Sequence, residues 1–142
     1  MPIRCEIVSQ DRKVFEGDVD IVVVPGADGE MGILPHHSAL LTALKPGVLK
    51  VRRGGQEDVF AISGGFVEVQ PDLVTVLADA AERSDEIDIA RAEEARRRAE
   101  ESLKNAPRES QSFIEAEMAL RRSNLRLNVA KRRRAGFPGL EQ

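Results

Sequence analysis

Tryptophan and tyrosine are absent from this 142-residue sequence, and phenylalanine occurs only five times. Without such rings there is no broad platform for stacking bases, so nucleic acid is a poor candidate partner. The single cysteine, Cys5, excludes an intrachain disulfide and a cysteine-rich zinc site and fits a reducing compartment. It reads as a small residue in an early strand. The only histidines, His36 and His37, are adjacent in a proline-flanked turn. Neighbours there do not share a ligand direction as an i,i+4 helical pair would. HExxH, CxxC and GxSxG are all missing, and no pair of carboxylates stands out as acid and base. "GADGEMG" lacks the Lys-Ser/Thr of a phosphate-binding P-loop and reads as a turn between strands. No run approaches the ~20 apolar residues of a membrane span. The opening "MPIRCEIVSQ" lacks the apolar stretch of a signal peptide. The expectation is a soluble, cytoplasmic protein without a catalytic constellation.

What is present divides unevenly. Hydrophobic residues make up 42% and charged residues 32%, which suggests a core in one region and a charge-rich element in another. Residues 1–85 carry 8 Lys+Arg against 14 Asp+Glu, whereas residues 86–142 carry 13 against 10. From Ala119 to Arg134 there are seven basic residues and no acidic one. A basic helix of this kind seeks an anionic partner: phosphate, acidic protein or lipid headgroup.

The period changes as well. "IRCEIV", "VDIVVV", "VLKVR", "DVFAIS", "FVEVQ" and "DLVTVLA" alternate with period two and are separated by "PGADGEMG", "KPG", "RRGG", "SGG" and "QPD". Short β-branched runs at spacings near ten residues predict a β-sandwich or barrel. Beyond Ala81, Gly and Pro vanish until Pro107. Ala92, Ala95 and Ala99 recur at helical spacing over 88–104. Phe113, Ala116, Leu120, Leu127 and Ala130 do so over 109–134, beside a second stripe of Ile114, Met118, Leu125 and Val129. Pro107 breaks the chain between them, and a nearby Ser or Asn can cap the next helix. Asp85 or Asp88 can cap the first. The fold class is therefore α+β: an N-terminal antiparallel β-sandwich over 1–85, then a two-helix αα-hairpin over 86–134, with 135–142 expected to fray. An alanine seam buries little apolar area at about 25 cal/mol per Å². The hairpin is expected to be weakly held and able to open.

Arg91 and Arg98 lie seven apart on the first helix, and Arg122 and Arg126 four apart on the second. In a folded hairpin these four guanidinium groups can converge on phosphate oxygens, which their forks match bidentately. Charge-assisted hydrogen bonds contribute about 1.5–3 kcal/mol each, so three or four would support micromolar-to-millimolar binding. The same spacings suit a solvated helix, with Glu94 pairing Arg98 and Asp88 pairing Arg91. Residue geometry leaves both readings open.

The stretches "GEMGILPHHSALLTALKPGVLKV" (29–51) and "AISGGFVEVQPDLVTVLADAAER" (61–83), with the helical tail, closely resemble the ε subunit of rotary ATP synthases across roughly residues 3–133. The resemblance implies a sandwich of about ten strands and a C-terminal helical hairpin. It implies a non-catalytic central-stalk subunit of the proton-translocating enzyme, peripheral to the cytoplasmic face of a bacterial cell membrane and membrane-associated only through the complex. The sandwich would bind the γ subunit and the c-subunit ring, the latter through Glu30 and His37. His36 stands where many relatives have Gly, which puts the shape of that turn in question.

The hairpin would regulate, folded against the sandwich or extended along γ into the catalytic head of α and β subunits. There Arg121, Arg122, Arg126, Lys131, Arg132, Arg133 and Arg134 would face an acidic segment of β and block hydrolysis. Some relatives bind ATP on the folded hairpin through I/L-D-x-x-R-A, which is intact here as Ile87, Asp88, Arg91 and Ala92. Glu82, Arg98, Arg122 and Arg126 match the flanking positions. ATP, with or without Mg, is thus the implied regulatory ligand, and the isolated chain would be a monomer or weak dimer. The alternative is a purely structural coupler whose hairpin never moves.

Overall fold

The computed structural model describes the backbone of residues 2–135 and the side chains of residues 2–132. Ten strands precede two helices: β1 (Ile3–Val8), β2 (Lys13–Val19), β3 (Ile21–Gly26), β4 (Gly29–Ile33), β5 (Leu40–Leu44), β6 (Gly47–Arg53), β7 (Gln56–Ile62), β8 (Gly65–Val69), β9 (Leu73–Ala78), β10 (Ala81–Arg83), α1 (Ile89–Asn105) and α2 (Gln111–Ala135). The six alternating segments are all strands. β2, β4, β5 and β10 complete the ten that the resemblance implied. "PGADGEMG" is mostly strand: Pro25 pairs with Glu30 and Gly26 with Gly29, leaving Ala27 and Asp28 as a two-residue hairpin loop.

The strands follow one hydrogen-bonded path, β10-β7-β6-β3-β5-β8-β9-β1-β2, with β4 paired to β3. The pairings are antiparallel except β1 with β9, which is parallel. The path folds over on itself. Phe15 of β2 and Phe60 of β7, near its two ends, meet edge-to-face with ring centroids 6.0 Å apart. Between the layers lies one core that includes Ile3, Ile7, Val22, Ile33, Leu49 and Val67, to which, among the described residues, neither helix contributes a buried side chain. Cys5 belongs to that core, where burial pushes its thiol up to about 12.

The chain leaves the sheet through a 3₁₀ turn at Ser84–Glu86. Ile87 and Asp88 remain extended. Asp88 then caps α1, its carboxylate accepting from the Arg91 N–H at 3.2 Å. Ser110 caps α2, its Oγ accepting from the Phe113 N–H at 3.1 Å. These caps satisfy donors that the first helical turns leave open.

The helices pack through small residues. Ala92, Ala99, Ala116 and Ser123 are buried, and Ser123 donates back to the Ala119 carbonyl at 2.9 Å. Leu127 of the same stripe on α2 is buried as well, and the hairpin has a second anchorage. Val129 and Ala130 of α2 form a separate small core with Val59 and Ala61 of β7 and with Ile87. The second apolar stripe is therefore divided: Leu125 and Val129 lie against the sandwich, while Ile114 and Met118 remain exposed. Ala135 continues α2, and the remainder of the tail expected to fray, 136–142, lies outside the described residues.

Candidate functional site

The junction between sheet and hairpin gathers the charged candidates. Glu82 sits in β10, paired with Ala61 of β7. Its carboxylate accepts from Arg126 of α2 twice, from Nε at 2.8 Å and Nη2 at 3.1 Å. Both side chains are about one-third exposed. The hydrogen bond to Glu82 raises the Arg126 pKa above its ordinary value despite opposing desolvation, and the nearby charge of Asp88 raises it further. Glu82, Asp88 and Arg126 thus share one neighbourhood; of the other candidates, Ile87 and Ala92 are buried.

The other arginines stand apart from that cluster. Arg98 donates to Glu94 on its own helix at 2.9 Å. Arg91 and Arg122 are exposed, and Arg122 lies one turn before Arg126 on a shared flank of α2. Arg91 meets the cluster through its backbone N–H, which caps onto Asp88; among the described residues, no side-chain hydrogen bond or ion pair joins the Arg91, Arg98 or Arg122 guanidinium to Glu82, Asp88 or Arg126. An open groove of about 520 Å³ lies at the far end of the hairpin, lined by Arg98, Glu101, Ser102, Asn105, Ala106, Pro107 and Ser112. It includes only Arg98 of the candidate ATP residues.

Arg121, Lys131 and Arg132 are exposed on α2. The side chains of Arg133 and Arg134 lie outside the described residues. Glu30 and His37 stand at opposite ends of β4, Glu30 just after the 27–28 loop and His37 in the segment leading to β5. The His37 ring Nδ1 lies 2.7 Å from the Ser38 carbonyl. His36 adopts φ +66°, the left-handed conformation suited to Gly, and its N–H donates to the Pro71 carbonyl at 2.9 Å. A side chain is thus accommodated at a left-handed position of this turn.

Two features had no signal in the residue pattern. Arg12, in the β1–β2 connection, donates to Glu86 through Nη1 at 3.1 Å and Nη2 at 2.6 Å. Long-range ion pairs of this kind have no sequence spacing to reveal them. The outer face of the sheet also carries a row in which Ala43 pairs with Phe66 and Phe66 with Leu77. Phe66 and Leu77 are 54% and 52% exposed and Leu41, close by, 67%. A solvated sheet face is ordinarily polar, so the row marks an unusual surface.

No group of three or more His, Cys, Asp or Glu able to hold a metal occurs among the described residues. No helix among them is long and apolar enough to cross a membrane.

Comparisons with known proteins fit this architecture. The profile described as ATP synthase, Delta/Epsilon chain, beta-sandwich domain matches residues 2–84. That of the corresponding long alpha-helix domain matches residues 85–131. The chain is 52% identical to an ATP synthase epsilon chain of Dehalococcoides mccartyi, over 93% of this chain and 94% of that one. It is 50% identical to that of Herpetosiphon aurantiacus, over 94% and 98%. A chain in the structure of Euglena gracilis mitochondrial ATP synthase, OSCP/F1/c-ring, superposes with a TM-score of 0.78 at 27% identity, covering 92% of this chain and 82% of that one.

Proposed function

This chain belongs to the ATP synthase Delta/Epsilon chain family, and from that membership we propose that it is a non-catalytic central-stalk subunit. It joins rotor to catalytic head and restrains ATP hydrolysis through its helical hairpin. The separation of the two cores carries this reading. The sandwich closes its own interior without the helices, while the hairpin rests on a small satellite cluster beyond an extended link. Such a build allows one half to stay docked to a rotor while the other moves.

The sandwich offers the binding surfaces. The exposed apolar row of Ala43, Phe66 and Leu77 suits a partner subunit, assigned here to γ. Glu30 and His37 are assigned to the c-subunit ring. The subunit is peripheral, on the cytoplasmic face of a bacterial membrane. On the hairpin, Arg121, Arg122, Arg126 and Lys131 to Arg134 meet the catalytic β subunit when extended. ATP, held by Glu82, Ile87, Asp88, Arg91, Ala92, Arg98, Arg122 and Arg126, favours the folded form. A ligand at 100 times its Kd adds about 2.7 kcal/mol to the form it binds, enough to bias a balanced equilibrium.

Removal of residues 86–142 from the assembled enzyme tests the regulatory reading: hydrolysis should rise. Isothermal titration of the full chain should give heat with millimolar ATP and lose it in Arg122→Ala. The second reading, a structural coupler with a fixed hairpin, is favoured by the Glu82–Arg126 fork and the burial of Val129. It expects unchanged hydrolysis after the deletion.

A further inference from the structure

The geometry points to the Glu82–Arg126 fork as a clasp that holds the hairpin on the sandwich with no nucleotide bound. The inference rests on the mobile-hairpin reading but not on ATP binding. Glu82 is fixed to the sheet, since β10 pairs with β7 through Glu82 and Ala61. Arg126 belongs to α2, flanked by Leu125, which packs against the satellite core, and by buried Leu127. The two residues are 44 apart in sequence, with the junction, α1 and the interhelical turn between them. No separation of α2 from the sheet can leave both hydrogen bonds intact.

The second fork beside the junction differs in this respect. Arg12 and Glu86 both lie outside the helices, so their bond can persist when the hairpin leaves. One fork therefore fastens the root of the junction, and the other fastens the element that moves. The charges are matched to that task. A guanidinium meets a carboxylate through two parallel N–H donors, a geometry with directional strength. Partial burial limits the solvent screening that weakens fully exposed pairs. Asp88 adds a second negative charge near Arg126.

The clasp also divides the arginines by their engagements. Arg126 is committed to Glu82 and Arg98 to Glu94. Arg91 and Arg122 are exposed and form no ion pair among the described residues, so they are the groups placed to meet an incoming phosphate first. Glu82 thereby acts as an internal anion at the edge of the ATP site. The folded hairpin does not depend on ligand alone.

A double-mutant cycle on the full, nucleotide-free chain tests the clasp, read by hydrogen exchange of α2 amides between residues 119 and 130. Glu82→Gln and Arg126→Gln should each speed exchange about tenfold, in line with one lost charge-assisted contact. The double variant should exchange no faster than either single. Unchanged exchange in β3 and β6 would show that the sandwich remains folded in each. Unaltered α2 exchange in Glu82→Gln, or multiplied effects in the double variant, overturns the clasp. ATP titration separates the two ideas. Coupling in the cycle with no ATP heat refutes the sensor and leaves the clasp, whereas ATP heat without coupling does the reverse.

Discussion

Val129→Ala probes whether the hairpin is a separable unit. Val129 is fully buried in the small core with Val59, Ala61 and Ile87. The change removes two methyl groups, at about 0.8 kcal/mol each. Incomplete collapse around the gap adds roughly 0.5 kcal/mol. Alanine's better helix propensity returns about 0.6 kcal/mol. The net loss is near 1.5 kcal/mol, or about a tenfold rise in the undocked population. Because the main core includes no helical residue among the described ones, that loss should fall on docking and not on the sandwich. Trypsin supplies the assay, since α2 presents Arg126 and Arg132 and cleavage tracks the open population when reclosing is fast. Cutting at those two sites should accelerate about tenfold while the urea midpoint of the sandwich stays within error. Equal destabilisation of both parts would show a single cooperative unit and rule out a separable hairpin.

Two further outcomes follow from local geometry. Gly65 has φ +132°, and a Cβ there would lie 2.1 Å from the Leu77 carbonyl oxygen and 2.9 Å from Ala78 Cα. Gly65→Ala should cost at least about 3 kcal/mol in urea unfolding of the sandwich; a loss below about 1 kcal/mol would contradict the close β8–β9 approach. Glu16 is held down to about 2 by hydrogen bonds from Lys13 and Arg4. A depressed carboxylate stabilises above its unfolded pKa and loses that contribution as pH falls through the folded one. The melting-temperature advantage of wild type over Glu16→Gln should therefore be present at pH 6, shrink below about pH 4.5 and vanish near pH 2. A constant gap across that range would rule out this pair as its source.

Much of the architecture was legible because its periods are strong. "VDIVVV" and "DLVTVLA" alternate or run apolar between turn residues, and the loss of Gly and Pro after Ala81 exposes the change to helix. β2 and β10 gave weaker signals: "KVFEGDV" has a glycine and three charged residues, and β10 is three residues long. β4 was concealed by its glycines, which read as turn until Pro25 found Glu30 across the hairpin. The alanine seam was legible from helical spacing, but its partner surface on β7 was not, since nothing in the chain's local pattern ties Val129 to Val59. The candidate site divides similarly. Asp88 as a cap and the shared flank of Arg122 and Arg126 follow from spacing, whereas the Arg126 bond to Glu82 depends on how the hairpin folds back. His36 shows tertiary context overriding preference: a left-handed non-glycine residue survives in a turn tied to Pro71.

The parallel pairing of β1 with β9 has a consequence for synthesis. Arg4 sits opposite Leu73 and Val8 opposite Leu77, so the first strand made must wait for nearly the last of the sheet. At about 5–20 residues per second, that interval is on the order of several seconds on the ribosome. β1 can pair early only with β2, and one edge of that nascent hairpin stays open to other chains throughout. The long-range closure also slows folding relative to local pairings. Both helices emerge after β9, so they meet a surface already built. A nascent chain stalled before residue 73 should therefore be the species most dependent on a chaperone.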